Sequence, residues 1–79
     1  MNTLDKTEIG KTVKVVKILG DSPTKRRIMD MGLTKNTEVF VRKVAPLGDP
    51  IQVSLRGYEL TIRKEDAKNI GVEEIWLTK

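Results

Sequence analysis

Glu65-Asp66 and Glu73-Glu74 are the paired carboxylates of this sequence and the first residues to test for acid–base chemistry. Neighbours in a strand point to opposite faces, so Glu73 and Glu74 make a poor acid–base couple. The sequence has no His and no Cys. The common nucleophile–base pairs therefore cannot be assembled, and neither can zinc, copper or haem sites built on imidazole and thiolate. Asp21, Asp30 and Asp49 have the oxygen donors of a hard-cation site, but no EF-hand spacing joins them. Their better use is structural, with Asp21 capping a helix and Asp49 shaping a turn. Neither GxxxxGK[ST] nor GxGxxG occurs, so no phosphate-cradling loop is present. These residues describe a binding protein, and neither catalysis, a cofactor nor a metal site is expected.

Binding chemistry concentrates in the first half. Residues 11–43 hold nine Lys or Arg against three acids, a net of +6, while the chain as a whole carries +4. Such a stretch suits nucleic acid or an acidic protein surface, unless its lysines simply solvate the outer faces of strands. Lys25-Arg26-Arg27 is the candidate phosphate contact. Phe40, Tyr58 and Trp76 are the aromatics, and they form no stacking platform. Tyr58 falls in an apolar phase and is expected in the core, with Trp76 partly exposed. The most distinctive segment is Arg26-Arg27-Ile28-Met29-Asp30-Met31-Gly32-Leu33. With Ile28 and Met31 facing inward, Met29 comes near solvent beside Arg26 and Arg27. Met adapts and Arg anchors, so Arg26, Arg27 and Met29 are the candidate partner-binding residues. The alternative is that Met29 packs at the open end of the fold.

The elements that place these residues follow from periodicity. Residues 12–19 read as a strand whose apolar phase changes between Val13/Val15 and Val16/Ile18, which predicts a bulge or bend. Asp21 or Ser22 caps a helix over residues 24–31, Pro23 fits its first turn, and Gly32 ends it with Leu33 folding back. Residues 38–44 alternate as a second strand, preceded by Asn36, which tolerates positive φ. After the turn-rich Ala45-Pro46-Leu47-Gly48-Asp49-Pro50, the set Ile51/Val53/Leu55 and the set Tyr58/Leu60/Ile62 alternate around Arg56-Gly57 as a hairpin. Residues 64–69 make one helical turn that buries Ala67, and residues 72–77 form the last strand. Gly32, Gly48 and Gly57 hold backbone shape.

Five short strands with one inserted helix predict a mostly β fold closed as a small barrel. An SH3-like barrel is preferred to an OB-fold because 79 residues leave little for long loops. That length supports one domain over residues 1–79. No apolar run approaches the ~20 residues of a membrane-spanning helix, and residues 1–6 lack a signal-peptide pattern. Together with the missing cysteines, this predicts a cytoplasmic protein without membrane insertion.

Three motifs in order now carry a resemblance to the ferrous-iron transport protein A family (FeoA). They are the segment from Arg26 to Leu33, the loop Pro46-Leu47-Gly48-Asp49-Pro50, and Gly57-Tyr58-Glu59-Leu60-Thr61-Ile62-Arg63 leading into Glu65-Asp66-Ala67. Ile70-Gly71-Val72 also fits, so the resemblance runs from about Leu4 to Leu77. Two departures stand out. The family usually has leucines where this helix has Ile28, Met29 and Met31, and Gly where Asn36 stands. The resemblance implies an SH3-like barrel that binds and supports the membrane ferrous-iron transporter, which carries its own G-protein domain. A related domain closes iron-dependent transcriptional repressors, but that reading needs a DNA-binding helical domain upstream of Met1. A small nucleic-acid-binding barrel is the other alternative.

Overall fold

The computed structural model describes residues 2–75. Six antiparallel strands form one sheet: β1 (Asn2–Thr3), β2 (Thr12–Ile18), β3 (Glu38–Val44), β4 (Ile51–Leu55), β5 (Tyr58–Ile62) and β6 (Ile70–Glu74). A 3-10 turn, Leu4–Lys6, follows β1, helix α1 (Ser22–Asp30) follows β2, and the short α2 (Lys64–Ala67) precedes β6. The spatial order is β1-β6-β2-β3-β4-β5.

Alternation explains which face closes. Val13 and Val15 of β2, Val39 and Val41 of β3, Ile51, Val53 and Leu55 of β4, and Ile62 of β5 are all buried. Leu4, Ile28, Leu33, Ala67, Ile70 and Val72 complete the same cluster. Each fully buried Val, Leu or Ile contributes about 1.5–3 kcal/mol, so the sheet curls to bring them together. The register shifts between Val15 and Lys17 against β6, at the predicted change of phase, and again between Val41 and Lys43 against β4. These bulges bend the sheet into the SH3-like barrel expected of the sequence.

Three expectations need correction. The fold has six strands, because Asn2 and Thr3 pair with Val72 and Gly71; two residues are too few to carry a period. The last strand begins at Ile70, two residues earlier than expected, and is described as far as Glu74; its predicted end, and Trp76, lie outside the described residues. Tyr58 is 45% exposed and does not enter the core. It sits at the mouth of the hairpin beside Arg56 and Gly57, with its hydroxyl reaching the end of α1.

Helix α1 begins two residues earlier than expected, with Ser22 and Pro23 inside it. Asp21 is the N-cap, its Oδ1 accepting from the Thr24 N–H at 2.9 Å. At the other end Gly32 takes φ +97°. Its N–H donates to the Met29 carbonyl at 2.9 Å, and the Leu33 N–H to the Ile28 carbonyl at 3.4 Å. This double bond pattern ends a helix and turns Leu33 into the core. At the short α2 no side chain of its own caps the start, but Asp49 Oδ1 accepts the Lys64 N–H at 2.9 Å. The turn-rich loop thereby fixes a segment fifteen residues away.

Bonds from the Thr24 hydroxyl and backbone N–H hold the Asp21 carboxyl below its ordinary value of 3.8. The cap's contribution is therefore complete above that value and is lost as pH falls through the lowered one. Asp21→Ala is expected to lower Tm by a few degrees at pH 7. Thermal melts should show the gap to the unaltered protein closing by pH 2.

Candidate functional site

Helix α1 and the strand beside it hold the exposed residues with binding chemistry. Arg26 and Arg27 line an open groove of about 600 Å³ with Ser22, Pro23, Asp30 and Met31. A second cleft of about 400 Å³ continues it, shared by Arg27 and Met31 and walled by Thr61, Arg63 and Asp66. Two of the three candidate residues thus meet on one groove. Met29 does not line it. Two residues apart on a helix, Arg27 and Met29 point to nearly opposite sides. Met29 is nevertheless 46% exposed, so it reaches solvent on the flank of α1 and does not pack at the barrel's end.

Arg27 has a second role that sequence spacing does not reveal. Its Nη2 donates to Asp66 Oδ1 at 2.5 Å, joining α1 to α2 across 39 residues. The Arg27 side chain is 56% exposed, whereas that of Asp66 is only 7% exposed. The hydrogen bond and the charge of Asp66 raise the Arg27 pKa above its ordinary value. Asp66 is thus a structural partner, not a member of an acid pair with Glu65. Tyr58 closes the other end of α1, its hydroxyl donating to the Met31 carbonyl at 3.1 Å. Gly32 suits this position because its φ is +97°, and a Cβ there would also push the Tyr58 hydroxyl away from the Met31 carbonyl.

The basic stretch is broken up by strand register. Lys14 lies opposite Glu38 on one side and Glu73 on the other. Lys11 pairs with Glu74 at 3.5 Å and Arg42 with Glu59 at 2.8 Å. Lys11, Lys14 and Arg42 of the basic stretch are thus each set beside an acid, while Lys17 and Lys43 lie opposite Gly71 and Gln52. Asp21 and Asp49 are both engaged as caps, and among the described residues no three acids gather as a metal-binding group. Sequence reasoning did not single out Leu47, which is 92% exposed at the tip of the loop between β3 and β4.

Residues 2–74 match the FeoA domain. The chain belongs to the FeoA family. A FeoA-like protein from Clostridium acetobutylicum, solved by NMR, is 43% identical, with a TM-score of 0.86 over 100% of this chain and 95% of that one. The FeoA of Stenotrophomonas maltophilia, solved with zinc and described as a prokaryotic SH3 domain protein, is 26% identical with a TM-score of 0.73. That alignment covers 92% of this chain and 91% of the other. A Porphyromonas gingivalis protein in which Fe(2+) transport protein A is fused to the transporter FeoB is 32% identical over 72 residues. The match takes in 91% of this chain, which spans 8% of the fusion's length. The FeoA domain is thereby linked to ferrous-iron transport. Among the described residues no helix is long and apolar enough to cross a membrane.

Because Asp66 is buried and Arg27 is not, the two halves of their bond are unequal. Removing the guanidinium strands a buried acceptor, whereas removing both groups does not. Arg27→Ala is expected to lower Tm more than Arg26→Ala does. Adding Asp66→Ala to Arg27→Ala should recover part of the loss in the same melts.

Proposed function

We propose that this protein is a non-enzymatic adaptor that binds the membrane ferrous-iron transporter on its cytoplasmic side and supports iron uptake. The observation that carries this reading is the P. gingivalis fusion, in which a domain matching 91% of this chain is covalently joined to such a transporter. Domains that are fused in one organism and separate in another commonly meet as separate chains, because fusion raises the effective concentration of a contact that already exists. The S. maltophilia relative, described as a candidate activating factor for ferrous-iron transport, supports the same reading.

The contact is assigned to α1. Arg26 is exposed, Arg27 keeps donors beyond the one given to Asp66, and Met29 is exposed on the flank. Arginine and methionine are enriched at interfaces, the first for its fixed fork of donors and the second for its adaptable stem. The transporter's G-protein domain is the proposed contact partner.

A binding titration against that G-protein domain, with and without nucleotide at physiological salt, tests the reading. Saturable binding is expected. Arg26→Glu and Met29→Asp should each weaken it by roughly tenfold, the loss of one good interface contact. Melts of Met29→Asp should stay close to those of the unaltered protein, because 46% of the Met29 surface is already in water. Unfolding of that variant would place Met29 in the core and remove it from the contact. Absence of binding to both the G-protein domain and the detergent-solubilised transporter would overturn the adaptor role.

A further inference from the structure

Arg26 and Arg27 are neighbours in sequence and line the same groove, yet the fold treats them differently. Among the described residues Arg26 enters no ion pair, and nothing anchors its guanidinium. Arg27 is tied through Nη2 to Asp66, a side chain that is only 7% exposed. Arg27 also lines both clefts, the one along α1 and the one walled by Thr61, Arg63 and Asp66, so it stands where they join.

Asp66 cannot follow a wandering partner. Its own N–H donates to the Arg63 carbonyl at 3.0 Å, and its carbonyl accepts the Asn69 N–H at 2.9 Å. Ala67 beside it is fully buried, and Asp49 holds the start of α2 through the Lys64 N–H. The arginine must therefore come to the carboxylate. A free arginine samples many rotamers, and ordering it at an interface subtracts from affinity. For Arg27 that ordering is complete before any partner arrives. Only one part of its planar fork of donors is given to Asp66, and the side chain is still 56% exposed. The pair as a whole carries no net charge, so what Arg27 offers a partner is the direction of its remaining N–H groups.

We propose that Asp66 is a positioning residue of the binding face, holding Arg27 as a pre-aimed donor fork for an acceptor group on the partner. Asp66 acts through Arg27 and makes no contact of its own with the partner. The fork suits a planar acceptor, a carboxylate or a main-chain carbonyl, taken by hydrogen bonds. Arg26 has no such anchor and serves as the internal contrast. The proposal rests on the adaptor reading for the identity of the partner, which is the transporter.

Two measurements on the full chain test it: proton exchange of the arginine guanidiniums by NMR, and titration with the transporter's G-protein domain at low and high salt. In the free protein the Arg27 guanidinium should exchange more slowly than that of Arg26. Asp66→Asn keeps the shape without the charge. It should bring Arg27 exchange up to the Arg26 rate and weaken binding by roughly tenfold, the loss of one good interface contact. On an Arg27→Ala background the same change should weaken binding no further. An equal loss on both backgrounds would make Asp66 a general support of the fold and overturn the proposal, as would full binding by Asp66→Asn. Arg27→Lys keeps the charge without the fork and should bind as weakly as Arg27→Ala, by a margin that is the same at both salt concentrations. Retention of binding by Arg27→Lys, or a margin that vanishes at high salt, would make Arg27 a simple charge and overturn the fork. Binding by an unaltered protein whose Arg27 exchanges as fast as Arg26 would retain the adaptor and overturn the pre-aiming. Slow Arg27 exchange with no binding to the domain or to the solubilised transporter would leave the side chain ordered and overturn the adaptor reading, and with it the contact assigned to Arg27.

Discussion

Ile28 is fully buried although it belongs to a nine-residue helix of which it is the only buried member. A helix that short is marginal in water, because nucleation costs more than so few turns return. The burial of Ile28 in the barrel supplies what propensity cannot, about 1.5–3 kcal/mol by the usual area argument. The rest of the helix is arranged around that anchor. Asp21 caps its start, Gly32 reverses its end, and Leu33 follows Ile28 into the same cluster. Once these are fixed, the remaining faces of α1 have no freedom to turn inward. Arg26, Arg27 and Met29 are presented to solvent because Ile28 is not.

The same anchor decides what α1 touches on its sides. Arg27 reaches Asp66 on α2, and the Met31 carbonyl receives the Tyr58 hydroxyl from β5. Helix α2 is itself held by Asp49, which accepts the Lys64 N–H from the loop before β4. Three connections that look separate in sequence thus form one chain of restraints running from loop to α2, to α1, to β5. In a domain this small a few such bonds are a large share of the net stability. They also set the groove's walls, since Arg27, Asp66 and Met31 both carry the restraints and line the clefts.

Much of the barrel was legible because alternation is a local signal. The phase change after Val15 announced its bulge, and the residues Arg56-Gly57 announced their hairpin, each from neighbours within a few positions. Asn36 was expected at positive φ and has φ +74°. What failed were features with no local period. Strand β1 is two residues long, and Leu4 is fully buried only because the 3-10 turn folds it beneath β6. Tyr58 had the right phase for the core but stands at the strand's end, where phase without depth buries nothing. The Arg27–Asp66 bond and the second wall of the groove join positions 30 or more residues apart, so spacing gives no hint of them. The candidate trio was correctly placed on an exposed helix, yet only tertiary geometry separates Met29 from the groove that Arg26 and Arg27 share.

Helix α1 and the residue that follows it carry side chains of two kinds. Ile28 is fully buried, where any change of volume disturbs packing. Met31 lies half-buried, packed against the core on one side and lining the groove on the other. A thioether on an unbranched stem follows the shape of what it meets more closely than a leucine fork does. The helix region is thus divided between residues that hold the fold, Ile28 foremost with Arg27 and Met31 beside it, and Arg26 and Met29, which are left exposed. That division is possible because a single buried side chain is enough to seat it.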